Sequence, residues 1–180
     1  MKNLNTKKLA YAALFLALCL VLPMLTGQIP QIGSMLLPMH IPVLLCGLVC
    51  GWQYGAAVGF VAPLLRSVLF GMPPMYPVAI AMAFELLTYG LVIGLVYRRM
   101  AQKGAAGVYA ALLTAMVAGR LVWGVAEVVL LGLGGKAFTA QAFLAGALLN
   151  AVPGIIVQLV LIPAVMAALQ KAGAVKEYAE

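Results

Sequence analysis

The sequence carries little charge and lacks residues on which most catalytic sites depend. It contains no aspartate, only one histidine, and just 8% charged residues. No nucleophile is therefore paired with a base. No phosphate-binding motif is present either, because Gly134-Gly135-Lys136-Ala137 lacks the required spacing and hydroxyl residue. We expect a protein that is not an enzyme, uses no cofactor and cannot hydrolyse ATP.

What the sequence has in abundance is apolar side chains. They make up 66% of the 180 residues, and no lysine, arginine or glutamate occurs between Leu9 and Leu65. That run is long enough for two or three membrane spans of about 20 residues. We predict an all-α, polytopic protein of the cell membrane, with residues 1–180 forming a single transmembrane domain.

Proline, glycine and polar residues divide the chain into six predicted transmembrane helices. They cover residues 8–25, 36–51, 53–70, 78–100, 107–133 and 141–170. The shortest break, Gly51-Trp52-Gln53-Tyr54-Gly55, must act as a tight turn, and without it the count becomes five. The apolar run after Lys8 continues to Leu25 with no small-residue cleavage site, so we expect an uncleaved first helix rather than a signal peptide.

The positions of the basic residues predict that both termini are cytoplasmic. A net charge of +7 is compatible with nucleic acid binding, but the basic residues sit at the ends of apolar segments rather than in a patch, so no nucleic acid partner is expected. With the N-terminus inside, only Lys136 lies in an outer loop. The basic residues placed inside are Lys2, Lys7, Lys8, Arg98, Arg99, Lys103, Lys171 and Lys176.

This orientation makes residues 26–35, 71–77 and 134–140 the outer connections. The first is uncharged and mixes polar with apolar residues, so it is either a loop folded over a pocket or a plain connector. The second contains three prolines, which restrict the backbone and favour a pre-set lid or rim.

The three cysteines, Cys19, Cys46 and Cys50, lie in apolar segments, where cysteine behaves as a small hydrophobe. Cys46 and Cys50 are four residues apart, but two thiols with one nearby histidine make a poor metal site. We interpret all three as packing residues and expect no metal.

Ionisable side chains inside the predicted spans are the strongest functional signal. Charges in a bilayer are costly, so they usually face a protein interior or a cavity and have partners. The alternating helix directions place His40, Arg66 and Glu85 at one level in the outer half of the membrane. Arg120 is predicted near mid-membrane, Glu127 two turns further out, and Asn150 between them.

Helical spacing adds aromatic side chains to this polar layer. Arg120 and Glu127 are seven residues apart and share a face with Trp123, and Tyr89 lies one turn from Glu85. An aromatic ring between two charges suits a flat polar ligand. The alternative is that the two arginines and two glutamates form buried ion pairs that fasten helices together. His40 is likewise either a structural histidine or a ligand contact.

The balance of two arginines against two glutamates bears on the kind of ligand. A site for a strongly anionic solute would keep surplus positive charge, whereas this set is close to neutral. A neutral or zwitterionic small molecule therefore fits best.

Small residues four apart occur on two predicted helices and let helix backbones approach closely. On the third helix, Gly55 and Gly59 favour internal packing. On the first helix, Ala13 and Ala17 suit either internal packing or docking to another membrane subunit.

Three short segments resemble a known family. They are residues 36–45, Leu-Leu-Pro-Met-His-Ile-Pro-Val-Leu-Leu, residues 63–67, Pro-Leu-Leu-Arg-Ser, and Ala83-Phe84-Glu85. With the six predicted helices, the long first outer loop and the alanine pair, the whole chain resembles the substrate-binding S component of an energy-coupling factor (ECF) vitamin transporter. The three segments are similar to those of the vitamin B6 group, which makes pyridoxine or pyridoxal the expected ligand.

The resemblance implies a high-affinity binding protein that docks, through Ala13 and Ala17, on a transmembrane coupling subunit with two ATPase subunits. It would then topple in the membrane and release its vitamin inside, as part of an ABC importer. The ligand would lie under the first and third outer loops, with its ring on Trp123 or Tyr89. Its polar groups would be taken by Glu85, Glu127, Arg120 and Asn150. His40 and Arg66 lie outside the usual helices of such a site.

Several alternatives stay open at this point. Other S components bind pantothenate, riboflavin or pyrimidine precursors on the same plan. An autonomous secondary transporter is a second class, although no internal repeat is visible. A non-transporting assembly or scaffold protein is a third. Besides the vitamin and the coupling module, the expected partner is membrane lipid.

Overall fold

The computed structural model describes residues 6–25, 35–135, 137, 139–146 and 150–173, and within these ranges the regular structure is helical. The helices are α1 (Thr6–Leu25), α2 (His40–Cys50), α3 (Trp52–Phe70), α4 (Ile80–Met100), α5 (Ala105–Leu133), α6 (Ala140–Leu144) and α7 (Val152–Lys171). A π-helical turn, Met75–Ala79, leads into α4, and a 3-10 turn, Ala101–Lys103, follows it.

Five of the described helices are long and apolar enough to cross a membrane: α1, α3, α4 with its flanking turns, α5 and α7. The remaining apolar helix, α2, has only 11 residues. The all-α, polytopic membrane fold is therefore confirmed, and the count of six holds only approximately. Predictions about residues 26–34 and Lys136 lie outside the described residues.

The helix α2 is shorter than predicted because its start is distorted. Leu37 has a positive φ of 51°, which ends the helical path before His40. The chain re-enters a helix through a turn in which the His40 N–H donates to the Leu37 carbonyl at 3.0 Å. All of α2 except Ile41 is buried, so it lies at the centre of the bundle, as expected for a helix that is apolar all round.

A single glycine joins α2 to α3. Gly51 has φ 100° and ψ 166°, a conformation that a residue with a Cβ rarely adopts. The predicted tight turn is therefore present, and α3 begins at Trp52.

Glycines allow the backbones of α2, α3 and α4 to touch. A Cβ added at Gly55 would lie 2.7 Å from the Gly47 Cα and 2.8 Å from the Gly90 carbonyl oxygen, and one at Gly59 would collide with the Leu86 carbonyl. The internal-packing role predicted for Gly55 and Gly59 is confirmed. Cys19, Cys46 and Cys50 are buried in the adjoining apolar core, which confirms their interpretation as packing residues.

The predicted continuous helix over residues 141–170 is wrong. The chain forms the short helix α6, which ends at Leu144, and α7 begins only at Val152. Pro153 lies in the first turn of α7, where a missing N–H costs no helical hydrogen bond and proline favours the start of a helix. The break moves Asn150 off the helix and into the turn before it.

The surface of the bundle shows a lipid-facing side. Along α5, Leu113, Val117, Leu121 and Val125 recur every four residues and are all more than half exposed. The same helix buries Ala111, Leu112, Ala115 and Met116 on its other side. This separation of an exposed apolar stripe from a packed face is what a membrane span requires.

Candidate substrate-binding site

The centre of the site is an ion pair between α4 and α5. The Arg120 Nη1 atom lies 2.9 Å from the Glu85 Oε1 atom, and the two side chains are 12% and 2% exposed. Sequence analysis anticipated buried pairs of this kind as one alternative. Among the described residues, Arg66 and Glu127 do not form the second one.

His40 of α2 approaches the same carboxylate. Its Nε2 atom lies 3.4 Å from Glu85 Oε1, and its ring meets the Tyr89 ring edge-on at a centroid distance of 5.2 Å. Tyr89 is 2% exposed and lies within electrostatic range of both Glu85 and Arg120. Three helices thus bring four of the predicted site residues into one buried cluster, which we call the Glu85 cluster: His40, Glu85, Tyr89 and Arg120.

A glycine on α5 makes room for this cluster. A Cβ at Gly119 would lie 2.8 Å from the Tyr89 ring. The ring therefore rests against the backbone of α5 beside Arg120, and the absence of a side chain at position 119 is what permits that contact.

The Glu85 cluster is polar but incompletely paired. Within the described part of the chain, Arg120 Nε and Nη2 and His40 Nδ1 are buried without a hydrogen-bond partner. Glu85 Oε1 is close to both side chains but accepts no well-aligned hydrogen bond from either. Buried polar atoms are almost always paired in folded proteins, so each of these atoms has bonding capacity left for another molecule.

Glu127 lies on the same face of α5, about 10 Å further along its axis than Arg120. Its side chain is buried, at 6% exposure, and has no ion-pair partner among the described residues. It is nevertheless near enough to Glu85 for the two carboxylates to interact electrostatically. The site therefore holds a second carboxylate whose charge the described side chains leave unbalanced.

Trp123 lies on α5 between Arg120 and Glu127 and packs under the short helix α6. Its ring stacks on Phe143 at a centroid distance of 6.1 Å with 26° between the planes. A Cβ at Gly146 would approach the Trp123 ring to 2.7 Å. The segment that follows the third predicted outer connection thus covers this tryptophan.

The second predicted outer connection lies against α5. The Tyr76 hydroxyl donates to the Leu130 carbonyl, three residues beyond Glu127. The connection therefore runs beside the end of the helix that carries Glu127, as a rim would.

Arg66 is placed away from the Glu85 cluster. Its Nη1 atom donates to the Leu20 carbonyl of α1, and its guanidinium lies 5.2 Å from the centre of the Phe70 ring. Pro23 lies in the same stretch of α1 and has no N–H to donate, which disturbs the backbone hydrogen bonds around it and favours acceptance from a side chain. In the described structure, Arg66 joins α3 to α1.

Asn150 is also placed apart from the cluster. Its side chain is exposed in the turn before α7, and its backbone N–H donates to the Ala145 carbonyl at 2.9 Å. The prediction that it lies on the sixth membrane-spanning helix is wrong, because the helix is broken at that point.

Two further residues, outside the predicted set of site residues, are relevant to this region. Gln158 of α7 is 1% exposed, and its Nε2 atom has no hydrogen-bond partner in the described ranges. Phe143 stacks on Trp123. A signal for Gln158 was present, since it is the only polar side chain in α7 before Gln170. Nothing in the sequence pattern distinguishes Phe143.

The two small residues assigned to docking are on the surface. Ala13 and Ala17 are both exposed on α1, one turn apart, whereas Ala12 and Phe15 of the same helix face the core. They therefore present a narrow, flat strip that the rest of the chain leaves uncovered in the described structure.

The family assignment comes from the sequence as a whole. Residues 7–167 match the family model described as "ECF transporter, substrate-specific component". The chain belongs to this family. A substrate-specific component is the substrate-binding subunit of a transporter, not an enzyme, and is an integral membrane protein that works with an ECF module. No curated protein and no solved structure matches the chain.

Proposed function

We propose that this ECF substrate-specific component captures a small neutral or zwitterionic vitamin from outside the cell, with pyridoxine or pyridoxal as the leading candidate. One transmembrane domain would bind the vitamin, dock on a transmembrane coupling subunit with two ATPase subunits, and topple to release it inside. The observation that carries the proposal is the Glu85 cluster, a buried polar centre with unpaired hydrogen-bonding atoms in a protein whose task is to bind a substrate.

The charge balance around the Glu85 cluster favours a zwitterionic ligand more strongly than the balance of two arginines against two glutamates did. Arg66 bonds to α1, so the charges near the cluster are Arg120 against Glu85 and Glu127. One arginine against two carboxylates disfavours a strongly anionic solute. A ligand that brings a protonated nitrogen or a hydroxyl donor to Glu127 would balance the second carboxylate.

The chemical groups of pyridoxine are complementary to the side chains of this region. It has a flat ring, a ring nitrogen that can carry a proton, and a phenolic hydroxyl beside a hydroxymethyl group. Trp123 is partly exposed and lies between Arg120 and Glu127 along α5, where it can stack on a ring. Asn150 is exposed in the turn before α7, and we keep it as a proposed ligand contact.

The exposed strip at Ala13 and Ala17 supports the docking step. Helices pack most closely where side chains are small, so the strip suits contact with a transmembrane helix of a partner subunit. We propose that the coupling subunit binds there.

The direct test is to identify the molecule that the protein carries. The full chain is purified in detergent, denatured, and its released small molecules are identified by mass spectrometry against a mock purification. Pyridoxine or pyridoxal near one equivalent would support the proposal. Pantothenate, riboflavin or a pyrimidine would correct the substrate, and no retained or titratable vitamin would overturn it. Uptake by the chain alone in proteoliposomes would favour a secondary transporter instead.

A further inference from the structure

We infer that Gln158 and the free edge of the Arg120 guanidinium form a subsite for two neighbouring oxygen acceptors of the substrate. Glu127 would accept a hydrogen bond from a donor group at the opposite end of the substrate. This inference rests on the proposed function and deepens it, because it assigns a substrate class to the site. It also gives Glu85 a different role from that of Arg120.

The free edge of Arg120 has a definite shape. One nitrogen, Nη1, faces Glu85 at 2.9 Å, while Nε and Nη2 are buried and lack a hydrogen-bond partner in the described ranges. The N–H groups of Nε and Nη2 point in the same direction from a planar guanidinium and so form a two-pronged donor. That fork matches a carboxylate or two adjacent oxygen atoms, which it binds through two parallel hydrogen bonds.

Gln158 supplies a further buried donor on α7. A Cβ at Gly154 of α7 would lie 2.9 Å from the Leu36 carbonyl oxygen, so α7 and the chain entering α2 are in contact there. In the predicted topology, α2 and α7 correspond to the second and sixth spans, which both run inward. Gln158 follows Gly154 by one helical turn, and His40 follows Leu36 by four residues across the distorted start of α2. From this we place Gln158 near the level of His40, which lies 3.4 Å from Glu85.

The Gln158 amide is ready for a ligand rather than for packing. Its Nε2 atom is buried and has no hydrogen-bond partner among the described residues, and a buried donor left unpaired is costly. The helix α7 is otherwise apolar until Gln170, so leucine or valine would fill this position at no polar cost. A hydrogen-bond acceptor on the bound substrate would pair with the Gln158 amide and explain why a glutamine occupies this position.

Glu127 defines the opposite end of the substrate. It lies two helical turns from Arg120 on one face of α5, and Trp123 is between them. The ligand class is therefore a flat molecule with a pair of oxygen acceptors at one end and a protonated nitrogen or hydroxyl at the other. Glu85, which faces Arg120 and His40, acts as a positioning residue that fixes the direction of the fork.

The test uses matched ligand pairs on the full chain in nanodiscs, measured by isothermal titration calorimetry. Pyridoxine is compared with deoxypyridoxine, in which a methyl group replaces the hydroxymethyl beside the phenolic oxygen. Pantothenate, with its carboxylate, is compared with its alcohol, pantothenol. The wild type should prefer the compound with two acceptors by roughly tenfold, the size of one well-placed hydrogen bond.

Two substitutions then locate the preference. Arg120→Lys keeps the charge but removes the fork, and Gln158→Leu removes the amide. Each should reduce the preference to within about threefold, mainly by weakening the two-acceptor compound. Gln158→Glu, which keeps the size but replaces the donor with an acceptor, should do the same if the leucine variant folds poorly. Gln170→Leu is the matched control, since Gln170 donates to the Tyr97 hydroxyl at 3.2 Å, three turns away.

The outcomes separate this inference from the proposed function. If the wild type binds one of the vitamins but shows no preference within its pair, or if Arg120→Lys and the Gln158 variants keep the preference, the inference is overturned and the proposed function stands. If the wild type binds none of the vitamins and carries none after purification, the proposed function fails, and the inference fails with it.

Discussion

Glu85 on α4 and Arg120 on α5 form a contact of 2.9 Å within the largely apolar helix bundle. His40 approaches the same carboxylate oxygen from α2. One acidic side chain therefore fixes two cationic or polar side chains from different helices. The arrangement leaves buried nitrogen atoms of Arg120 and His40 without a hydrogen-bond partner among the described residues, as the proposed binding role requires.

Replacing Glu85 should impair both binding and stability. The variant Glu85→Ala leaves Arg120 without its counter-charge, and removing one partner of a buried pair costs about 3–5 kcal/mol. We expect affinity for the vitamin to fall more than tenfold, measured by calorimetry, and thermal unfolding to begin at a lower temperature.

A double variant serves as the control for Glu85. Glu85→Gln combined with Arg120→Met removes both charges, so it should recover much of the lost stability while binding stays weak. Unchanged vitamin affinity in Glu85→Ala would remove this residue from the site.

Trp123 should report on the ligand directly. The chain has two tryptophans, so in the variant Trp52→Phe the fluorescence comes from Trp123 alone. Stacking of a flat ligand on its ring should quench that fluorescence with the same midpoint as the calorimetric titration. Trp123→Ala should weaken binding more than tenfold, and Trp123→Phe should retain most of it because an aromatic face remains. A signal that does not change on saturation would argue against contact.

Arg66 should behave as a structural residue. It donates to the Leu20 carbonyl and lies over Phe70, and both contacts are away from Glu85. The variant Arg66→Met should therefore lower the unfolding temperature while changing vitamin affinity by less than about threefold, since it removes one charge-assisted hydrogen bond. Strong loss of binding in a variant that unfolds at the wild-type temperature would place Arg66 in the site after all.

The glycine contacts should be far less tolerant than glycines at open positions. A Cβ at Gly90 would collide with the Gly55 backbone, so Gly90→Ala should separate α3 from α4 and sharply reduce the yield of folded protein. Gly132 on α5 has nothing within 4 Å of an added Cβ. Gly132→Ala should therefore be neutral, or stabilising by up to about 1 kcal/mol. Equal yields and melting profiles for the two variants would contradict the packing described.

The docking strip predicts a separation of transport from binding. Ala13→Trp or Ala17→Trp should abolish vitamin uptake in cells that contain the ECF module, while purified protein binds vitamin normally. Val117→Trp is the control, because Val117 is 63% exposed on the lipid-facing side of α5 and should tolerate the larger side chain in both assays. Intact uptake in both alanine variants would refute a docking role.

The sequence predicted the membrane fold and much of the cluster because charge inside an apolar span is conspicuous. His40, Glu85 and Arg120 stand out from their neighbours for that reason, and Tyr89 and Trp123 follow from helical spacing. Spacing also identified Gly55 and Gly59 as packing residues. Each of these features is defined by residue types and spacings within a single helix, so the sequence alone can reveal it.

The features that were missed depend on contacts between segments. Arg66 has the same charge and depth as a site residue, but its partner is a backbone carbonyl on α1, and backbone acceptors leave no mark in a sequence pattern. Asn150 was misplaced because the apolar composition around it continues through the break before Pro153. Gln158 was not among the predicted site residues, because its burial and its unpaired amide are visible only in the structure.

The most direct test of the central claim is an experimental structure of the protein with the ligand that it retains on purification. We predict that the ligand lies between α4, α5 and α7, within hydrogen-bonding distance of Arg120 and beside Trp123, with its donor group toward Glu127. A bound ligand that touches none of the Glu85 cluster, Trp123 or Glu127 would contradict the account and leave the Glu85–Arg120 pair as a fastening between helices.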